Sequence, residues 1–227
     1  MAQIKKIVVG STLVAVVLAG PAGVALGQQA NQRYKLTIGQ IETYCTSTID
    51  QNGFGHANLP GGLVQKQTGQ LSVPCKIRLQ AGTTLTFNHV QLKTHNLLIE
   101  NAKPDEAPVH LRIAYSSLSG ESSGFQVKFT SNKSSLVISD SQFNYPLSIG
   151  AALGQKDSDS EALVQANRST FTSVGEGSEG ILMASTGRAI FGRNQFQLKN
   201  PEDTATLIGS RCLLVKNNHA NDRCHGE

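Results

Sequence analysis

His89, Tyr115, Asp140, Arg168, Arg193 and Lys216 are the side chains whose type and spacing best suit chemistry, and they recur at intervals of 23 to 28 residues. A period in that range brings successive copies side by side, so the six would form one ridge about 4.8 Å from rung to rung. Arg168, Arg193 and Lys216 then make a basic strip. Arg188 and Arg211 each stand five residues earlier and widen it. Guanidinium groups grip carboxylate and phosphate in bidentate fashion, so the strip is a candidate site for an acidic polysaccharide, a lipid headgroup or another envelope component. The plainer reading is a solvated ridge that keeps a stack of strands soluble. Asp140 is the lone carboxylate of the column. With Arg168 and Arg193 it forms the nearest approach to a catalytic set, but glycoside hydrolysis wants a second carboxylate.

Other motifs carry less. Asp157, Asp159 and Glu161 alternate as in a hard-cation loop, yet lack the glycine and further ligands of such a loop, and read as a flexible acidic segment. The six histidines show no metal-ligand spacing, and no cofactor or metal is implied. Gly55-His56 superficially resembles a hydrolase motif but precedes the repeats. Asn132 and Asn167 match the glycosylation sequon and read as ordinary turn or strand residues. With no Trp and four Tyr, the chain offers little for a neutral-sugar platform. No phosphate-binding loop, nucleophile elbow or redox motif occurs.

The elements that must position the ridge are eight-residue segments starting at Leu85, Leu111, Leu136, Val164, Ala189 and Cys212. Their first column is Leu, Leu, Leu, Val, Ala, Cys, and their third is Phe87, Ile113, Ile138, Ala166, Phe191, Leu214. Apolar residues two apart face one side of a strand. The eighth column, Leu92, Leu118, Phe143, Phe171 and Phe196 before His219, points inward again after a bend. At the bend the sixth column is Val90, Ser116, Ser141, Ser169, Asn194 and Asn217, side chains able to bond the backbone of the next copy. A second apolar segment follows each of the first five copies, around residues 97–99, 125–127, 147–149, 181–183 and 206–208. Each period therefore holds at least two strands.

Over residues 81–219 the period, the inward columns and the Ser/Asn bend resemble the right-handed parallel β-helix of the pectate-lyase-like proteins. The resemblance is one of architecture, without a catalytic motif. It implies an all-β, right-handed parallel β-helix of about six coils. Many members of that fold family act on acidic polysaccharides, so the resemblance makes a small lyase or hydrolase of uronate polymers the alternative to a non-enzymatic binding protein. A β-sandwich of hairpins is the rival fold. A third role is that of a subunit in a larger surface assembly, docking through the apolar residues 212–215.

Ahead of the repeats, residues 34–38 and 41–49 read as strands, 51–62 as loop, and 63–70 as a short strand or a turn of helix. Residues 28–80 are expected to cap the β-helix domain at 81–227, because an open end would leave strand edges and core bare. Residues 1–27 read as a signal peptide: Lys5 and Lys6, an apolar run over 7–20, Pro21, and small residues at Ala25 and Gly27 before cleavage. A retained membrane anchor is the alternative. The expected product is an exported, periplasmic or extracellular protein. The net charge of +4 falls to about +2 once both lysines go, too little to suggest a nucleic-acid binder. The four cysteines are expected to pair as Cys45–Cys75 and Cys212–Cys224, each bracketing one end of the array.

Overall fold

The computed structural model describes residues 34–103, 107–120, 124–146, 148–155, 160–173, 180–198, 206–215 and 223–225; at 180, 198, 206–215 and 223–225 it describes the backbone alone. The chain is a right-handed parallel β-solenoid of about five turns, close to the coil number expected, and 62% of the described residues are strand.

Three faces wrap one core. The first face stacks β1 (Gly55–Leu59), β3 (Cys75–Leu79), β5 (Leu97–Asn101), β8 (Phe125–Phe129), β11 (Ser148–Leu153) and the first half of β14 (Gly180–Gly192). The first half of β16 (Thr206–Val215) and β17 (Arg223–His225) continue it, while the second half of β16 pairs with the second half of β14. The second face runs through the first halves of β2 (Gly62–Gln70) and β4 (Thr84–Thr94), then β6 (His110–Ala114), β9 (Ser135–Ser139), β12 (Leu163–Asn167) and the second half of β14. The third face takes the second halves of β2 and β4, then β7 (Ser117–Gly120), β10 (Gln142–Tyr145), β13 (Thr170–Ser173) and β15 (Gln195–Leu198). Among the described residues every strand-to-strand ladder is parallel, which excludes the sandwich of hairpins.

The inward columns lie where their period places them. Leu85, Leu111, Leu136 and Val164 are in exact burial at 0% exposure, as are Phe87, Ile113, Ile138 and Phe191. Phe143, Phe171 and Phe196 stack at 5.2 and 5.3 Å between ring centroids, one ring per coil. Cys212, Leu214 and His219 lie outside the residues whose side chains are described.

The bend column works as a hydrogen-bonded ladder. The Val90 N–H donates to Ser116 Oγ, Ser116 N–H to Ser141 Oγ and Ser141 N–H to Ser169 Oγ, each at 3.1 Å, and Ser169 N–H donates to Asn194 Oδ1 at 3.0 Å. Each serine hydroxyl in turn donates to the carbonyl two residues back in its own coil. A bend that removes amides from the strand ladders would otherwise bury orphan donors, and one small oxygen per coil supplies the acceptor.

The segment ahead of residue 81 departs from the sequence reading. Residues 38–47 form a helix, α1 (Ile38–Ser47), where a strand was expected over 41–49, and the strand expected over 34–38 is reduced to a single bridge from Lys35 to Leu63. Thr37 and Gln40 make a reciprocal capping box, and Ile38, Ile41 and Cys45 fall on one buried stripe. Tertiary burial of that stripe outweighs the β-preference of its Thr and Ile residues. The expected loop at 51–62 contains β1, and 62–70 is the strand β2, so the parallel stack starts at residue 55 and reaches into the segment assigned to the cap. Gly69 takes the inward position paired with Leu92, and an added Cβ there would come within 2.8 Å of Ile38. The helix thus fills the first coil from below. Gln67 joins the two, its Oε1 accepting from Ile38 N–H at 2.8 Å. Cys45 and Cys75 form a disulfide between α1 and β3, as expected. The Cys212–Cys224 pairing concerns side chains outside those described.

Candidate functional site

The ridge residues share one backbone state. Lys66, His89, Tyr115, Asp140, Arg168 and Arg193 have φ of 51, 55, 50, 49, 48 and 56°, one left-handed residue in each coil at the corner between the second and third faces. Only that conformation turns the chain sharply enough to bury the next residue in the ladder. The Cβ of an L-residue is crowded there, and Asn or Asp bears it best. Asp140 alone is of that kind. Rings and long cations occupy the other corners, all of them exposed.

Their side chains pair off along the corner. His89 and Tyr115 stack with centroids 4.9 Å apart and planes 23° apart, and Asn88 Oδ1 holds His89 Nδ1 at 2.9 Å. Arg168 donates through Nε to Asp140 Oδ1 at 2.6 Å and through Nη2 to Oδ2 at 2.7 Å. This fork holds the Asp140 carboxyl below its usual range, and raises Arg168 in return. Arg168 is therefore not a free cation, and the basic strip is interrupted where it should begin. Arg193 makes no ion pair among the described residues. Arg188 sits at the opposite edge of the second face, about 16 Å along the strand from the corner, so it does not widen the ridge. Arg211 pairs with Arg188 in backbone register, but its side chain, like the whole of Lys216, lies outside what is described.

Beside the corner lies a surface that the sequence reading passed over. The outward side chains of the third face form two rows. One is Thr68, Gln91, Ser117, Gln142, Thr170, Gln195; the other is Gln70, Lys93, Ser119, Asn144, Thr172, Gln197. Eleven of these twelve carry a hydroxyl or an amide, and Lys93 is the exception. Ser117 and Ser119 are short, and the coils on either side carry Gln91 with Lys93 and Gln142 with Asn144. The difference in length leaves a trough of about 630 Å³ lined by Gln91, Leu92, Lys93, Ser117, Ser119 and Gln142 with Thr68, Gly69 and Gln70. The signal was present in the repeat: its seventh column is uniformly polar and uncharged. In sequence such a column is indistinguishable from an ordinary solvated strand face.

Carboxylates stand elsewhere. Glu100 accepts from Arg78 Nε at 2.9 Å on the first face, Glu161 lies 3.3 Å from Lys133, and Asp50 meets His56 Nε2 at 2.9 Å beside α1. None lines the trough. Among the described residues no three His, Cys, Asp or Glu are grouped to hold a metal ion. His110 is half-buried on the second face, 2.8 Å from Ser135 Oγ; burial, then Arg112, lowers its pKa.

Fold and site together define a parallel β-solenoid with a polar, trough-bearing face flanked by an aromatic and ion-paired corner. No protein-family model, curated protein or solved structure matches the chain.

Proposed function

We propose that this is an exported, non-enzymatic binding protein whose third face receives an extended polysaccharide. The observation that carries the reading is the double row of hydroxyl and amide side chains with its trough of about 630 Å³. Such groups donate and accept in equal measure, as sugar hydroxyls require, and the rung spacing of about 4.8 Å is close to the length of one sugar residue. The trough's lining has no carboxylate to serve as acid, base or cation ligand, which favours binding over the lyase or hydrolase alternative. Export is supported by the Cys45–Cys75 disulfide, which suits an oxidising compartment, and by the apolar, lysine-led N-terminus. No helix among the described residues is long and apolar enough to cross a membrane.

The test is calorimetric titration of the exported chain with a panel of neutral and acidic polysaccharides, with a reducing-end assay alongside. A glycan should bind without being cut, and the double variant Gln91→Ala/Gln142→Ala should weaken binding about tenfold or more, while Lys128→Ala on the first face leaves it unchanged. Absence of binding across the panel, or release of new reducing ends, overturns the reading. The basic-ridge reading has its own arm: loss of binding in Arg193→Ala with the Gln double variant intact would move the site to the ridge and favour an acidic ligand.

A further inference from the structure

We propose that the corner beside the trough is a subsite for an uncharged pyranose ring, formed by Tyr115 with the Asp140–Arg168 pair, so that the ligand is a neutral, equatorially hydroxylated oligosaccharide and not a uronate. The proposal rests on the glycan-binding reading of the third face and names its ligand class.

Tyr115, Ser117 and Ser119 are alternate residues of one coil, so the floor of the trough leads along the strand to the Tyr115 corner. Tyr115 stands two residues before Ser117, so a ring bound over it lies beside a glycan that runs across the coils. Tyr115 is 56% exposed, against 43% for Tyr34 and Tyr44 near the N-terminal helix, whereas Phe143, Phe171 and Phe196 of the third face are buried in the stack. His89 supports one side of the ring at 4.9 Å. On the other side the nearest corner is Asp140, whose carboxylate is turned toward Arg168 by two hydrogen bonds. With more than half of its surface exposed, the ring offers a ligand area that His89 does not cover. A pyranose with equatorial hydroxyls presents axial C–H bonds as an apolar face, which suits an aromatic surface.

The same corner has polar groups for the rim of that sugar. Asp140 keeps acceptor lone pairs beyond the two that Arg168 uses, and the guanidinium keeps further N–H donors. A bidentate acid–base pair can thus accept from one hydroxyl and donate to its neighbour. Its summed charge is zero, so it gives a carboxylated sugar no advantage. Lys93 is the one cation lining the trough, too few for a polymer charged at every unit.

The backbone adds a second line. The corner is left-handed in every described coil, so the fold fixes φ and leaves only the side chain to choose. Asn or Gly would sit there at least cost. The same φ is held at Lys66, His89, Arg168 and Arg193, so the coils differ at this corner in side chain and not in backbone.

The experiment is titration of the full exported chain with cellohexaose, xylohexaose and N-acetylchitohexaose, and with oligogalacturonate of equal length, at low and at high salt. A neutral oligosaccharide should bind, with an affinity that salt leaves unchanged. Tyr115→Asn suits the left-handed corner and so preserves the fold while removing the ring; it should weaken binding about tenfold, and Tyr115→Phe should restore most of it. Arg168→Gln should weaken it also. If Gln91→Ala/Gln142→Ala abolishes binding while Tyr115→Asn does not, the corner subsite is overturned and the third face stands. Salt-sensitive preference for oligogalacturonate overturns the ligand class. If no glycan binds at all, both proposals fall together.

Discussion

Ser141→Ala tests the bend ladder, on which the positions of both the trough and the corner depend. Ser141 Oγ accepts from the Ser116 N–H at 3.1 Å and donates to Ser139 O at 2.7 Å. Ser141 is 2% exposed, so water cannot take its place. The two bonds are unequal in consequence. Ser139 O also receives the Tyr115 N–H at 3.1 Å and keeps a partner when the hydroxyl goes. The Ser116 amide loses its acceptor and stays buried. The cost is therefore that of one orphaned donor, about 1–3 kcal/mol. For a chain of this size each kcal/mol moves the thermal midpoint by roughly 2–4 °C. Urea unfolding followed by circular dichroism gives the global figure, with the slope checked because stacked coils can lose cooperativity. Hydrogen exchange gives the local one: protection at the Ser116 amide should fall more than at Leu111 or Ile113 in the strand before it. Ser119→Ala, an outward serine on the third face, is the control and should stay within about 0.5 kcal/mol. If Ser141→Ala matches that control in midpoint and in Ser116 protection, the ladder is not what holds the bend.

Three further outcomes follow from the same framework. Phe143→Ala removes the ring between Phe125 and Phe171 and should destabilise by about 3–5 kcal/mol in chemical denaturation. Cys45→Ser/Cys75→Ser frees α1 from the coils; opening a crosslink of sequence separation 30 should cost about 3–4 kcal/mol, read as a fall in thermal midpoint that the oxidised wild type does not show. The Asp140 carboxyl, held low by Arg168, should titrate by NMR below 3.8 and return toward that value in Arg168→Gln. Because its folded pKa is depressed, the pair's contribution is present above the unfolded value and disappears as pH falls through the folded one, so the variant's stability difference from wild type should vanish in acid.

Much of the architecture was legible in the described residues from 85 to 198 because a solenoid is repetitive. The same column meets the same neighbour in every coil, so a requirement for burial or for a bend acceptor is written several times over. Leu136, Ile138, Phe143 and Ser141 could each be assigned from their column. The segment before residue 55 is used once, and no column averages its preferences. Its Thr- and Ile-rich stretch looked like strand by composition, and the capping box at Thr37 and Gln40 was the local sign of helix.

The site was legible only in part. The fifth column was correctly placed at an outward corner, but side-chain reach decides what a corner does. Asp140 and Arg168 are 28 residues apart, and which neighbour each turns toward depends on rotamers in the folded stack. The trough is set by a contrast in length between adjacent coils, with serines flanked by glutamines, and a contrast across coils exists only once they are in register. By itself the sequence determined the period, the inward columns and the bend chemistry, since these follow from local alternation repeated along the chain. The tertiary structure alone decided that α1 fills the first coil, that the basic strip is broken by an ion pair, and that a polar trough opens beside Tyr115. Each of those depends on which residues meet across a turn of the solenoid.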